Sequence, residues 1–103
     1  MNIMQGDGYS IPVSIKNGTS ALADTDVLDV EISIGRISKC FSYDEIHYDS
    51  SSETWYMPVT QEETLSLCGP MPMQVRVKFP NGDVVGTSLG RIDVLMSLSR
   101  EVL

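Results

Sequence analysis

The chain has 103 residues, 42% of them apolar, which suits one folded domain and excludes a disordered chain. Seven Lys and Arg against 14 Asp and Glu give a formal charge of −7 with no basic cluster, so nucleic acid is not an expected partner. No apolar run approaches the ~18 residues of a membrane span, and "MNIMQGDGYS" has neither the basic end nor the apolar stretch of a secretory signal.

The chain is therefore expected to be made and kept in a cytosol, or to leave it by lysis, with no membrane partner. Residues 1–8 are predicted to be flexible. In "YSIPVSIK", Tyr9, Ile11, Val13 and Ile15 share one face. Pro12 lacks a ladder donor, which puts this strand at a sheet edge. "VLDVEISI" alternates in the same way and predicts Leu28, Val30, Ile32 and Ile34 inward. "RISKCF" and "EIHY" are weaker strand signals that suggest a hairpin around Ser42 to Asp44. "DSSSET", Asp49 to Thr54, is a polar loop.

"TWYMPV" puts Trp55, Met57 and Val59 together, and Trp55 is expected to be buried near Val75 and Val77. Thr60 and Glu63 have the spacing of a reciprocal capping box, and the acidic residues after Thr60 suit the positive end of a helix. Gly69 and Pro70 stop that helix, which predicts about two turns from Gln61 to Leu67 or Cys68. In "MPMQVRVKF", Met71, Met73, Val75, Val77 and Phe79 alternate with polar residues. "RIDVLM" adds Ile92, Val94 and Met96. Met57, Met71, Met73 and Met96 thus read as core filling.

Between Met71–Phe79 and a second strand Val84–Leu89, which are predicted to pair, Asn81-Gly82 alone suggests a two-residue hairpin loop. Pro80 opposes it, because proline would remove the N–H that such a loop bonds across the strands. The alternative is a type I turn centred on Pro80 and Asn81, with Gly82 left-handed in a bulge. About seven short strands punctuated by turns, with no alternation of strands and helices, predict an all-β fold. The expected architecture is one antiparallel β-sandwich or small barrel over 1–103, with one short helix.

Little points to catalysis. On a strand, Glu45, His47 and Asp49 would share a face and could ligate a metal, but a solvated strand face explains them as well. His47 is the sole histidine, and a Ser–His–Asp arrangement lacks its elbow motif. "NGDVVGTSLG" has glycines but no Lys-Ser/Thr pair to cradle phosphate. Cys40 and Cys68 lack zinc spacing and read as reduced structural thiols, with a bridge open to them in an oxidising medium. No cofactor and no catalytic residue are expected.

Three stretches read together resemble a known family: "DVEISIGRISKCFS", "WYMPVTQEETLSL" and "QVRVKFPNGDVVGTSLGRIDV". They look like small proteins encoded in prophage tail or baseplate regions of Gram-positive bacteria. The resemblance runs from about Tyr9 to Leu103. The layout is also similar to the immunoglobulin-like N-terminal domain of phage baseplate upper proteins, which implies an antiparallel immunoglobulin-like β-sandwich of about seven strands with one short helix. Those larger proteins continue into trunk and receptor-binding parts. This sequence ends at Leu103, so no direct receptor-binding role is implied.

The resemblance implies a noncatalytic structural or assembly protein that contacts other phage tail or baseplate proteins. It implies a bacterial cytoplasmic location during assembly, or a place in the virion. The alternatives are a bacterial interaction module with no virion role, and a metal-binding protein or enzyme built on Glu45, His47 and Asp49. The closing segment "DVLMSLSREVL" carries apolar residues on more than one face. Leu95, Leu98, Val102 and Leu103 are therefore the expected interface, to another tail protein or in a homo-oligomer. Phage tail symmetry makes a ring or trimer the form implied by the resemblance.

Overall fold

The computed structural model describes residues 2–103. Its strands are β1 (Asn2–Met4), β2 (Tyr9–Val13), β3 (Lys16–Asn17), β4 (Ser20–Ala21) and β5 (Asp29–Ile34). They continue as β6 (Ile37–Cys40), β7 (His47–Asp49), β8 (Thr54–Val59), β9 (Gly69–Lys78) and β10 (Val84–Leu95). The one α-helix, α1, spans Gln61–Leu65, and a 3-10 turn covers Asp24–Asp26. The protein is all-β. Ten strands replace the expected seven because β3 and β4 form a two-residue ladder and β1 joins a sheet.

The larger sheet has the order β1-β10-β9-β5-β6, and the smaller is β2-β8-β7. The expectation of a purely antiparallel architecture is corrected here. β1 runs parallel to β10, with Asn2 opposite Asp93 and Met4 opposite Leu95, so the larger sheet is mixed. The same pairing corrects the expected flexible leader. Of residues 1–8, Met1 lies outside the described residues, while Asn2–Met4 form a strand and Ile3 is buried. The sequence "NIM" has a single inward residue, too little for an alternation signal.

Side-chain alternation builds the core. Val30, Ile32 and Ile34 of β5, Met73, Val75 and Val77 of β9, and Ile92 and Val94 of β10 are all buried. Ile11, Val13, Trp55, Met57 and Val59 supply the facing residues from the smaller sheet, and both sets belong to one apolar cluster. Pro12 lies in β2, an edge strand, where its missing N–H costs no ladder bond. Pro70 and Pro72 lie where β9 outruns β5, and Pro72 offers only its carbonyl, 3.1 Å from the Gly35 N–H.

Trp55 anchors the centre. It is fully buried, donates Nε1–H to the Leu22 carbonyl at 3.0 Å, and meets Phe41 edge-on at 5.2 Å. Tyr48 packs at 4.9 Å on the same indole. Burying a large aromatic while satisfying its one polar atom is the economical use of Trp in a core.

Two strong local signals give the structures they predict. The Gly82 N–H bonds the Phe79 carbonyl at 2.9 Å, closing a turn centred on Pro80 and Asn81. Gly82 has φ +93°, and the Phe79 N–H bonds the Asp83 carbonyl at 2.8 Å. At α1, the Glu63 N–H bonds Thr60 Oγ1 at 3.1 Å and the Thr60 N–H bonds Glu63 Oε1 at 2.9 Å. The helix is shorter than expected. It ends at Ser66, whose hydroxyl bonds the Glu63 carbonyl at 2.6 Å, and Gly69 (φ +79°) opens β9 instead.

Other expectations are corrected. Residues 36–48 do not form a hairpin: β6 pairs with β5 in one sheet and β7 with β8 in the other. The connection carries the chain from one layer to the next. Leu28 precedes β5 and is exposed. Tyr9 begins β2 and Met96 follows the end of β10, and both are exposed too.

Candidate functional site

The segment after β10 starts where β1 ends. The Gln5 N–H bonds the Leu95 carbonyl at 2.9 Å, continuing the β1–β10 ladder. Gln5 is a buried polar residue with both ends of its amide used. Nε2 donates to the Leu67 carbonyl at 2.7 Å, and Oε1 accepts from the Ser97 N–H at 3.2 Å. Thr64 of α1 lies beside it. Its hydroxyl accepts from the Gly6 N–H at 2.9 Å and donates to the Asp7 carbonyl at 2.8 Å.

Beyond Ser97 the main chain folds back along α1. Arg100 Nη1 reaches the Leu65 carbonyl at 3.3 Å, and the Leu103 N–H bonds Gln61 Oε1 at 2.8 Å. These bonds hold the backbone and leave the apolar side chains outside. Leu98 and Leu103 are fully exposed, and Leu95, Met96 and Val102 are exposed as well. Met4, opposite Leu95, extends the apolar surface. A depression of about 250 Å³ between β1 and this segment is lined by Met4, Gln5, Ser97 and Leu103, among others. Leu95 ends β10, and the other three expected interface residues lie on the segment after it; all four are exposed. Met4 and Met96 were missed: the first fell in the presumed leader, and the second continued an inward alternation that β10 ends before.

The residues of the metal alternative are not drawn together. Glu45 lies in the turn after β6, where it accepts from the Cys40 N–H at 3.2 Å. His47 is exposed. Asp49 accepts from the Ser51 N–H at 3.0 Å and from the hydroxyls of Ser51 and Ser52 at 2.7 and 3.1 Å. Those bonds hold the Asp49 carboxyl below its usual range. Among the described residues, no group of three or more His, Cys, Asp or Glu is placed to hold a metal ion.

Cys40 and Cys68 are free thiols. Burial pushes the Cys40 thiol up, and the nearby Asp29, Glu31 and Glu45 push it further. A thiol held protonated in this way is a weak nucleophile. A shallow depression over the outer face of the larger sheet mixes Asp29, Glu31, Arg76 and Lys78. Arg76 and Glu31 pair across it at 2.7 Å, so these charges satisfy one another. Among the described residues, no buried side-chain nitrogen or oxygen lacks a hydrogen-bond partner, and no helix is long and apolar enough to cross a membrane.

No protein-family model matches the chain, and neither the curated proteins nor the solved structures searched contain a significant match to it.

Proposed function

We propose that this chain is a noncatalytic protein-contact module of immunoglobulin-like sandwich type, serving as a tail- or baseplate-associated component of a phage or prophage particle. The observation that carries the contact role is the terminal segment, whose backbone is pinned to α1 and Gln5 while Leu95, Leu98, Val102 and Leu103 stay in solvent. Holding apolar side chains out on a fixed backbone is costly in water and favourable once a partner covers them. The partner is another tail or baseplate protein. The particle assignment rests on the resemblance of the three stretches containing Asp29–Ser42, Trp55–Leu67 and Gln74–Val94.

Mass spectrometry of particles induced from a host carrying the gene tests this reading. The chain is expected in the particles or in a tail assembly intermediate. Its absence from both would move the reading to a bacterial interaction module without a virion role.

A further inference from the structure

The sequence holds the dipeptide Asn-Gly twice, at 17–18 and at 81–82. Asparagine before glycine is chemically labile, because glycine has no side chain to keep its nitrogen away from the asparagine amide. The glycine nitrogen attacks the asparagine side-chain carbonyl carbon, and that bond forms as the bond to the amide nitrogen breaks. The proton given up by the N–H leaves with the amide nitrogen as ammonia. Water then opens the cyclic imide at either carbonyl, to aspartate or to isoaspartate. Water is consumed, ammonia is released, and nothing is oxidised or reduced. With the same dipeptide at both places, the fold decides which of them reacts.

The turn at 81–82 locks both reacting groups. The Gly82 N–H is bonded to the Phe79 carbonyl at 2.9 Å. The Asn81 side chain is held at both ends: Oδ1 accepts from the Asp83 N–H at 3.0 Å, and Nδ2 donates to Asp83 Oδ2 at 3.1 Å. On either side run β9 and β10, ten and twelve residues long and paired from Lys78 and Val84 onward. Ring closure there has to break all three bonds at the end of a long ladder.

The turn at 17–18 locks neither. It joins β3 to β4, which pair only at Lys16 with Ala21 and at Asn17 with Ser20, and which form a sheet of their own. Gly18 has φ +67° and Thr19 has no positive φ, the pattern of a two-residue loop with glycine at its first central position. A loop of that kind closes through the N–H of its last residue, so the Gly18 N–H is left over. Among the described residues, neither that N–H nor the Asn17 amide makes a hydrogen bond. Asn17, Gly18 and Thr19 are all exposed. Asn17 is extended in its strand, so the backbone has to bend before the ring can close. A two-stranded ladder this short opens readily without disturbing the rest of the fold. We infer that Asn17-Gly18, and not Asn81-Gly82, is the site at which the folded chain deamidates, with water as the only co-reactant. The product places a carboxylate on the hairpin. In its isoaspartyl form it also adds an atom to the main chain opposite Ser20, which a two-residue ladder cannot absorb. The assignment does not depend on a particle role.

The full chain is aged in warm, mildly alkaline buffer below its melting temperature, and in parallel in urea. Peptide mass spectrometry reads the amide-to-acid mass change at each site, and methyl transfer by a protein isoaspartate methyltransferase counts the isoaspartate. In the folded chain Asn17 should convert more than about tenfold faster than Asn81, which must wait for its hairpin to open. In urea, where both turns are lost, the two rates should come together. Asn17→Gln should remove the fast product and leave the circular dichroism spectrum unchanged, because glutamine has to close a larger and slower ring. Equal rates in the folded chain, or a faster Asn81, overturn the inference. So does an Asn17 that converts in urea but not in the folded chain. A gap between the sites that persists unchanged in urea overturns it too, since the flanking sequence and not the fold would then set it.

Discussion

The two flanks of the larger sheet are treated differently. At β6 the edge is four residues long and tied down. Lys39 reaches across to the Pro58 carbonyl at 2.6 Å and to Glu63 Oε1 at 2.9 Å. Asp29 accepts from the Ser42 N–H and hydroxyl, both at 2.9 Å, and fastens the chain leaving the strand. At β10 the edge is longer, neutral over "VVGTSLG", and tied only where β1 meets it. An edge that is short and clamped needs no partner. An edge that is long and uncharged either has one or is an aggregation hazard. The difference lies both in strand length and in the side chains that clamp one edge and leave the other neutral.

The largest effect should come from removing what supports both edges. Trp55→Ala deletes the fully buried indole and the contacts with Phe41 and Tyr48. It should cost about 3–5 kcal/mol, measured as the loss of unfolding free energy in urea. In the intact protein, Trp emission should be blue-shifted and resist iodide. An emission near 350 nm in the native state would contradict the burial.

The next effect should lengthen the open edge. The Thr64 hydroxyl holds Gly6 and Asp7, the turn that follows β1. Thr64→Val keeps the shape and orphans that N–H and carbonyl, at a cost of about 1–3 kcal/mol. Hydrogen exchange should accelerate first in β1 and at the end of β10 that it covers. Uniform acceleration over both edges would mean that β1 does not act as a separate cover.

How much of this was legible in the sequence depends on the range of each interaction. The Pro80-Asn81-Gly82 turn and the Thr60–Glu63 box were readable because their bonds span three or four residues. Trp55, Met57 and Val59 were readable because alternation alone fixes their face. β1 was not, because its partner lies some ninety residues away, Asn2 against Asp93. Nor was the split of β6 and β7 between sheets, since a strand's local pattern does not say which neighbour it joins. Leu28 and Met96 failed for a related reason: the alternation extends one residue past the strand that carries it. In the candidate site, the exposed leucines were visible from the sequence. The Gln5 clamp that holds them was not, because it unites residues from both termini.

A smaller effect should loosen the clamped edge. Burial raises the Glu63 carboxyl, but the hydrogen bond from Lys39 and the Thr60 N–H outweigh it and leave the group below its usual value. A carboxyl depressed in the folded state stabilises above its unfolded pKa of about 4.3 and loses that contribution as pH falls through the folded value. Glu63→Gln should therefore cost about 1 kcal/mol at neutral pH. Its difference from the parent should shrink as the pH is lowered through the acid range. A difference that stays constant with pH would show that the ionised form adds nothing and that the cap's geometry alone matters.

The smallest effect on stability should come from the terminal segment, and that smallness is what gives the variant its use. Leu98 and Leu103 have side chains wholly in solvent, so a double Leu98→Ser, Leu103→Ser change removes no buried area. Surface substitutions of this kind usually fall within about 0.5 kcal/mol. The main-chain bond from Leu103 to Gln61 survives the exchange, because it uses the N–H and not the side chain. The variant should melt at the parent's temperature. If the proposed function holds, it should be lost from co-purification with tail or baseplate proteins. A variant that still co-purifies with those proteins would show that these leucines do not make the contact. A fall in melting temperature of several degrees would mean that these side chains pack on the protein's own surface after all.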